Sequence, residues 1–339
     1  MKCWQVTTAV LLAAVTALSS CINDDQDDCG LLLRFRYDYN VKMADAFPEE
    51  VKNITVFVFD ADGNYVRRIS RTADSFGKGY SLNIRGLKPG RHTLVCFARD
   101  SKAVDEQKDF VFTKDIKTID DLTSRLATDA EGVSDKEFAA LYVGETTIDV
   151  ADKPQHAEVS LMKVTNRLQV VLFPPKGGDT TFKAENFDVT VVDGTAAWLD
   201  HKGEKVQDVP VTYKPFSQVT SEATAQDDHT AIDRAVIAQL NVSRLFTGSR
   251  AKLVIRDKRN GNEVFNGNLA WLLALSKGAN ANAVRHEWSD QEYLDRQDTY
   301  YLQFFANGDW FFNGKVIVNG WVINDINADL GGKQGMKAL

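Results

Sequence analysis

The sequence predicts an all-β protein, two β-sandwiches in tandem behind a lipoprotein signal peptide, and three observations carry that prediction. Short runs of β-branched and aromatic residues recur along the chain, at the spacing that marks sandwiches and barrels. The strand series pauses in a polar stretch and then resumes, which suits two units of ordinary size. The first twenty residues are built unlike the rest and belong to export rather than to the fold.

Lys2 precedes an apolar run from Val6 to Leu18, and Ser19 and Ser20 lead to Cys21. A charged start, an apolar core and small residues before a cleavage point make a secretory signal. The run is too short to span a bilayer, which takes about 20 apolar residues. Leu18-Ser19-Ser20-Cys21 resembles the bacterial lipobox. That resemblance implies that residues 1–20 are removed and that Cys21 is acylated, joining the chain to outer-membrane lipid. An ordinary signal with a chance cysteine is the alternative. Asp24, Asp25, Asp27 and Asp28 follow at once, and charges this dense are too costly to bury. Residues 21–30 are therefore expected to be a solvated acidic tether. Acids directly behind a lipidated cysteine also resemble the surface-export signal of some outer-membrane lipoproteins, although a plain polar spacer has the same composition. The cell surface is the expected location.

Hydrophobic content of 44 % and charged content of 26 % place the chain among globular proteins. A net charge of −7 and the lack of a basic run in the sequence argue against nucleic acid as a partner. Of four cysteines, Cys3 lies in the signal and Cys21 at the lipobox, leaving Cys29 and Cys96. In an exported protein these can form a disulfide, closing a loop of roughly 70 residues and adding at most about 4 kcal/mol. Two separate buried thiols are the other reading.

The elements follow in order. From Leu31 to Tyr39 the pattern turns to strict alternation, with Leu33, Phe35, Tyr37 and Tyr39 on one face and Arg34, Arg36 and Asp38 on the other. That is period two and predicts a strand. Ile54 to Phe59 is β-branched and aromatic throughout, a strand expected to be buried on both faces. The turn Asp60-Ala61-Asp62-Gly63-Asn64 joins it to Tyr65–Ile69. Strands at Tyr80–Ile84 and around Cys96 follow, and 101–140 reads as a polar connector with a few helical turns, one of them capped by Thr118. Strands return at Thr147–Val150 and Ala157–Met162. A boundary near Lys163 then divides the chain into sandwiches 31–162 and 163–339. The second series comprises Arg167–Phe173, Phe187–Val192, the region of Val211, and Ala251–Arg256, which Asn260-Gly261 turns into Glu263–Phe265. Leu269–Ala281 suits a short helix, and Ser289-Asp290-Gln291-Glu292 reads as a capping box. Tyr300–Phe305 and Val316–Val322 are the last strands expected.

Several of these stretches together resemble the FimB family of fimbrial anchor lipoproteins, the minor anchoring subunits at the base of type V fimbriae. The matching residues are Cys21 in its lipobox, Cys29, Phe35-Arg36-Tyr37-Asp38-Tyr39-Asn40, Ala44-Asp45-Ala46-Phe47-Pro48 and Val56-Phe57-Val58-Phe59-Asp60. In the second half they are Glu292-Tyr293-Leu294-Asp295-Arg296-Gln297 and Val318-Asn319-Gly320-Trp321. The resemblance implies two transthyretin-like sandwiches and a non-catalytic subunit that holds a fimbrium to the outer membrane and ends its growth. It also implies that shaft subunits lose their first strand to an arginine-specific protease, while an anchor keeps its own. Residues 22–30 contain no arginine or lysine, which suits a subunit that stays on its tether. The expected partners are fimbrial shaft subunits, engaged by strand donation from Val316, Ile317, Val318, Trp321, Val322 and Ile323. The plain alternative is that this segment only closes the second sandwich.

No catalytic, metal or cofactor site is expected. The Asp60–Asn64 loop lacks the glycine and glutamate positions of a calcium loop. His92, His156, His201, His229 and His286 are scattered, and neither a nucleophile elbow nor a phosphate loop occurs. A second functional reading is a surface carbohydrate-binding lipoprotein, which needs Trp271, Trp288 and Trp310 side by side on one face.

Overall fold

A computed structural model describes residues 30–102, 109–174, 181–193, 197–222, 234–306 and 316–323. Residues 1–29, which hold the signal, Cys21, Cys29 and all of the expected tether but Gly30, lie outside the described residues, as does Trp310. The fold is all-β, as expected, with its strands β1–β22 numbered in chain order.

In the first sandwich, a three-stranded sheet runs β10 (Gln155–Ser160), β1 (Gly30–Arg36), β4 (Ser81–Arg85). It packs on a five-stranded sheet ordered β11 (Met162–Lys163), β9 (Leu141–Val150), β5 (Gly90–Arg99), β2 (Asn53–Phe59), β3 (Tyr65–Thr72). The predicted alternation decides which residues meet between them: Leu31, Leu33 and Phe35 of β1 share a core with Ile54, Val56, Val58, Leu94 and Cys96. The other face of the five-stranded sheet is buried too, because Phe57, Phe59, Val95 and Phe97 belong to the second core. This is why Ile54–Phe59 reads as apolar without alternation.

The segment 101–140 departs from the expected connector. Its described residues contribute β6 (Phe110–Phe112), β7 (Thr123–Leu126) and β8 (Val133–Ser134), besides one 3-10 turn at Ile119–Asp121. Its sparse apolar residues explain the difference: Phe110, Leu122, Leu126 and Phe138 are buried in the second core. β6 and β7 form a small sheet with β14 (Trp198–Asp200), and β8 pairs in parallel with β15 (Val211–Tyr213).

The second sandwich has a six-stranded sheet ordered β16 (Ser217–Glu222), β17 (Arg234–Ser243), β12 (Thr165–Phe173), β20 (Thr299–Phe305), β21 (Val316–Val318), β22 (Trp321–Ile323). Opposite it stand β19 (Asn262–Asn268), β18 (Lys252–Asp257), β13 (Phe187–Asp193), β15 and β8. Gly261, at φ +76°, makes the predicted hairpin turn between β18 and β19. Between β19 and β20 lies the main helical stretch of the described residues, with helices Leu269–Ala274, Ala281–Arg285 and Asp290–Arg296. Asn268, Asn280 and Ser289 cap them, each side chain accepting a backbone N–H.

Candidate partner-binding strand and tether

β20 is an interior strand, parallel to β12 on one side and antiparallel to β21 on the other. Val316 and Val318 of β21 point into the core and are fully buried, while Ile317 on the opposite face is half-buried. The chain then reverses. Asn319 and Gly320 adopt φ +48° and +81°, the doubly positive turn that Asn-Gly favours. The Asn319 N–H donates to the Tyr301 carbonyl and its Oδ1 accepts the Tyr301 N–H, both at 2.9 Å. The continuous strand expected from Val316 to Ile323 is therefore a hairpin, and that expectation is corrected. An alternation of apolar residues hid the same dipeptide that marks a turn at Asn260-Gly261.

Among the described residues β22 pairs only with β21, through Val316↔Ile323, Ile317↔Val322 and Val318↔Trp321. This register puts Val322 beside Ile317 on the outer face, where it is exposed, rather than beside the buried Val316 and Val318. Only the backbone of Trp321 and Ile323 is described. Among the described residues, β22 is the edge of its sheet. An open cavity of about 500 Å³ beside the turn is lined by Tyr293, Gln297, Tyr301, Asn319 and Gly320.

Behind the hairpin, the helical stretch is pinned by charge. Arg244 forms a two-pronged pair with Asp295, Nε to Oδ1 at 2.7 Å and Nη2 to Oδ2 at 2.8 Å. It also donates to the Gly203 carbonyl and to Glu204. Burial opposes its charge, but the Asp295 and Glu204 carboxylates outweigh this and raise its pKa. A second polar knot joins the two sandwiches: Lys163 reaches Glu50 at 3.1 Å and Asp298 at 2.5 Å, and the Tyr142 hydroxyl donates to Glu50. Burial again opposes the ammonium, and Asp298 and Glu50 hold its pKa above the ordinary lysine value. Neither knot was legible beforehand, because their members are scattered from residue 50 to residue 298.

At the other end of the chain, β1 is held on both sides, in register with β4 from Gly30↔Arg85 and with β10 from Leu31↔Gln155. Burying Leu31, Leu33 and Phe35 contributes roughly 2 kcal/mol apiece. Cys96 is buried and forms no disulfide among the described residues, which do not include Cys29; as a thiol, its pKa is pushed well up by burial. Trp288 is buried under Arg296, whose guanidinium lies 4.7 Å from its ring centre. Trp271 is 40 % exposed. A platform of adjacent tryptophan faces is not formed among the described residues. Nor does any group of three His, Cys, Asp or Glu side chains there suit a metal ion.

With the two sandwiches, the doubly paired first strand and the C-terminal hairpin in place, comparison with known proteins decides the family. The description "Fimbrillin-A associated anchor proteins Mfa1 and Mfa2" matches residues 25–327. The chain belongs to this family of fimbrial anchor proteins. Within the Mfa2 family, the chain is 23 % identical over 357 residues to the minor fimbrium anchoring subunit Mfa2 of Porphyromonas gingivalis, covering 96 % of each. Its fold is similar to the solved structure of the fimbrial anchor protein Mfa2 from that organism, with TM-score 0.63, 18 % identity and coverage of 87 % of this chain and 98 % of that one. A candidate adhesin from Bacteroides thetaiotaomicron is similar at TM-score 0.75 and 27 % identity, over 87 % of this chain and 97 % of that one. The resemblance read from the sequence is thus shown, and with it a fimbrial-subunit class rather than an enzyme family.

Proposed function

We propose that this Mfa2-family chain is a lipid-held, non-catalytic anchor that attaches a fimbrium to the outer membrane, at the cell surface, and ends its polymerisation. The observation that carries the reading is β1. A subunit that accepts a neighbour's strand must vacate a place in its own sheet, whereas here the first strand occupies the middle of one. The backbone around Arg34 is paired on both sides and Arg36 is paired with β10, which supports their protection from an arginine-specific protease. Attachment runs through acylated Cys21, and the chain divides near Lys163 into the two sandwiches. A bridge between Cys29 and Cys96 belongs to the same proposal, and labelling of both sulfurs by denaturing alkylation without reductant refutes it.

Shaft subunits are engaged from the C-terminal hairpin. β22 lies at an edge and is held by three residue pairs, so it is the part of the sheet that leaves most cheaply to complete another subunit's sheet by backbone hydrogen bonding. Removing residues 322–339 is expected to abolish capture of purified shaft subunits and to leave β1 and the first core folded. A truncated protein that folds and still captures them at full yield would place the binding surface elsewhere.

A further inference from the structure

Strand β3 is an edge of the five-stranded sheet of the first sandwich, and β4 is an edge of the three-stranded one. Arg67 on β3 spans the gap and donates to the Arg85 carbonyl on β4. From Tyr65 to Arg91 the chain carries seven basic residues and one acid, in a protein of net charge −7. The acid, Asp74, is paired with Lys102, outside that window. Arg71, Lys78, Arg85, Lys88 and Arg91 are all exposed and have no ion-pair partner among the described residues. Arginines on an edge strand guard it against stray pairing, which accounts for those on β3. It does not account for Lys78, Lys88 and Arg91, which stand in turns and at the start of β5. These charges are too widely spaced along the sequence to form a basic run, and the fold carries them on two strands and their turns.

The position of this edge points to its partner. Arg85 is in register with Gly30, so the basic edge meets the point where the chain leads back to Cys21. Nine residues, Ile22–Gly30, reach about 30 Å when extended. We propose that the β3–β4 edge docks on the phosphate headgroups of the membrane that holds the lipid, fixing the first sandwich against the bilayer surface. The inference rests on the tethered reading, since the tether keeps the edge near that surface. A lipid chain alone leaves the protein free to swivel, and a fimbrium base that bears lateral load gains a fixed orientation from a second, electrostatic contact.

The test uses the mature chain with Cys21→Ala, so that its result does not depend on acylation, and measures sedimentation with vesicles. Binding is expected to vesicles of about 30 % phosphatidylglycerol in phosphatidylcholine, to be absent on phosphatidylcholine alone, and to be lost near 0.5 M salt as charge is screened, on the order of a 4 Å screening length. The variant Arg71→Gln/Arg85→Gln/Arg91→Gln should keep its thermal midpoint, since all three side chains are exposed. Its partitioning should fall about fivefold per side chain, on the order of a hundredfold in total. Equal binding to neutral vesicles, or undiminished binding by the triple variant, overturns the proposal. So does binding that emerges only after Asp24, Asp25, Asp27 and Asp28 are changed to Asn, which would make the acidic tether the occupant of the edge. Failure of acylation at Cys21 in cells would remove the tether and leave this measurement standing.

Discussion

Donation of β22 requires that strand to leave β21, and the turn at Asn319-Gly320 is where the exchange can be tuned. Gly320 sits at φ +81°, where a residue with a side chain costs roughly 1–2 kcal/mol. Among the described residues other than its chain neighbours, nothing lies within 4 Å of the Cβ that a substitution would add, so Gly320→Val acts through the backbone. A change of about 1.4 kcal/mol is tenfold in an equilibrium, and β22 is held by only three residue pairs. The variant should therefore raise the population with β22 released by about tenfold. Val316 and Val318 stay buried against β20, so the thermal midpoint should barely move. Hydrogen exchange at residues 321–323 reports the release, and equilibrium binding to a purified shaft subunit reports its consequence. Faster exchange with about tenfold tighter capture is expected. Faster exchange with unchanged or weaker capture would refute the reasoning, because the intact hairpin would then be the docking element.

Two further outcomes follow from the buried polar knots. Arg244→Met leaves the buried Asp295 carboxylate with the Gln291 amide, at 3.0 Å, as its remaining side-chain partner. Breaking such a pair costs about 3–5 kcal/mol, a fall of about 10 °C in the thermal midpoint, with part regained in Arg244→Met/Asp295→Leu. An unchanged midpoint in the single variant would contradict the assignment. Alkali should destabilise the protein. Burial raises the pKa values of Tyr37, Tyr142 and Tyr300, and Asp298 and Glu50 raise that of Lys163 against burial. The folded chain thus keeps protons that the unfolded chain releases near pH 10, so the stability is fully present below about pH 10 and is lost above it. Chemical denaturation at about pH 8 and about pH 11 checks the sign, and equal stabilities would contradict it.

How far the sequence carried the account depended on whether the signal was local. β1, β2 and the β18–β19 hairpin were legible because alternation, continuous apolar runs and Asn-Gly are read within a few residues. The capped turn at Thr118 was legible for the same reason, since Asp121 accepts the Thr118 backbone N–H at 2.8 Å. The strands β6–β8 were not legible, because runs of two to four residues carry no periodicity until another sheet face receives them. The turn at Asn319-Gly320 was missed although it is as local as the other: the alternation of valine and isoleucine on both sides matched a single strand equally well. Of the candidate site, β structure over 316–323 was legible, and the reversal that turns Val322 to an exposed face was not. The two ion-pair knots and the basic β3–β4 edge depend on residues that meet only in three dimensions.

The central claim is that this chain holds a fimbrium to the membrane through one end, and replacement of a single residue tests it most directly. Cells carrying Cys21→Ala are compared with wild type for the partition of fimbriae between the cell envelope and the medium. Several acyl chains at about 0.8 kcal/mol per buried CH₂ suffice for stable attachment, and one chain is marginal, so loss of the acylated cysteine should release the fimbriae. The expected outcome is an unlipidated, soluble subunit and fimbriae recovered from the medium. Fimbriae that remain on the cells in that variant would contradict it.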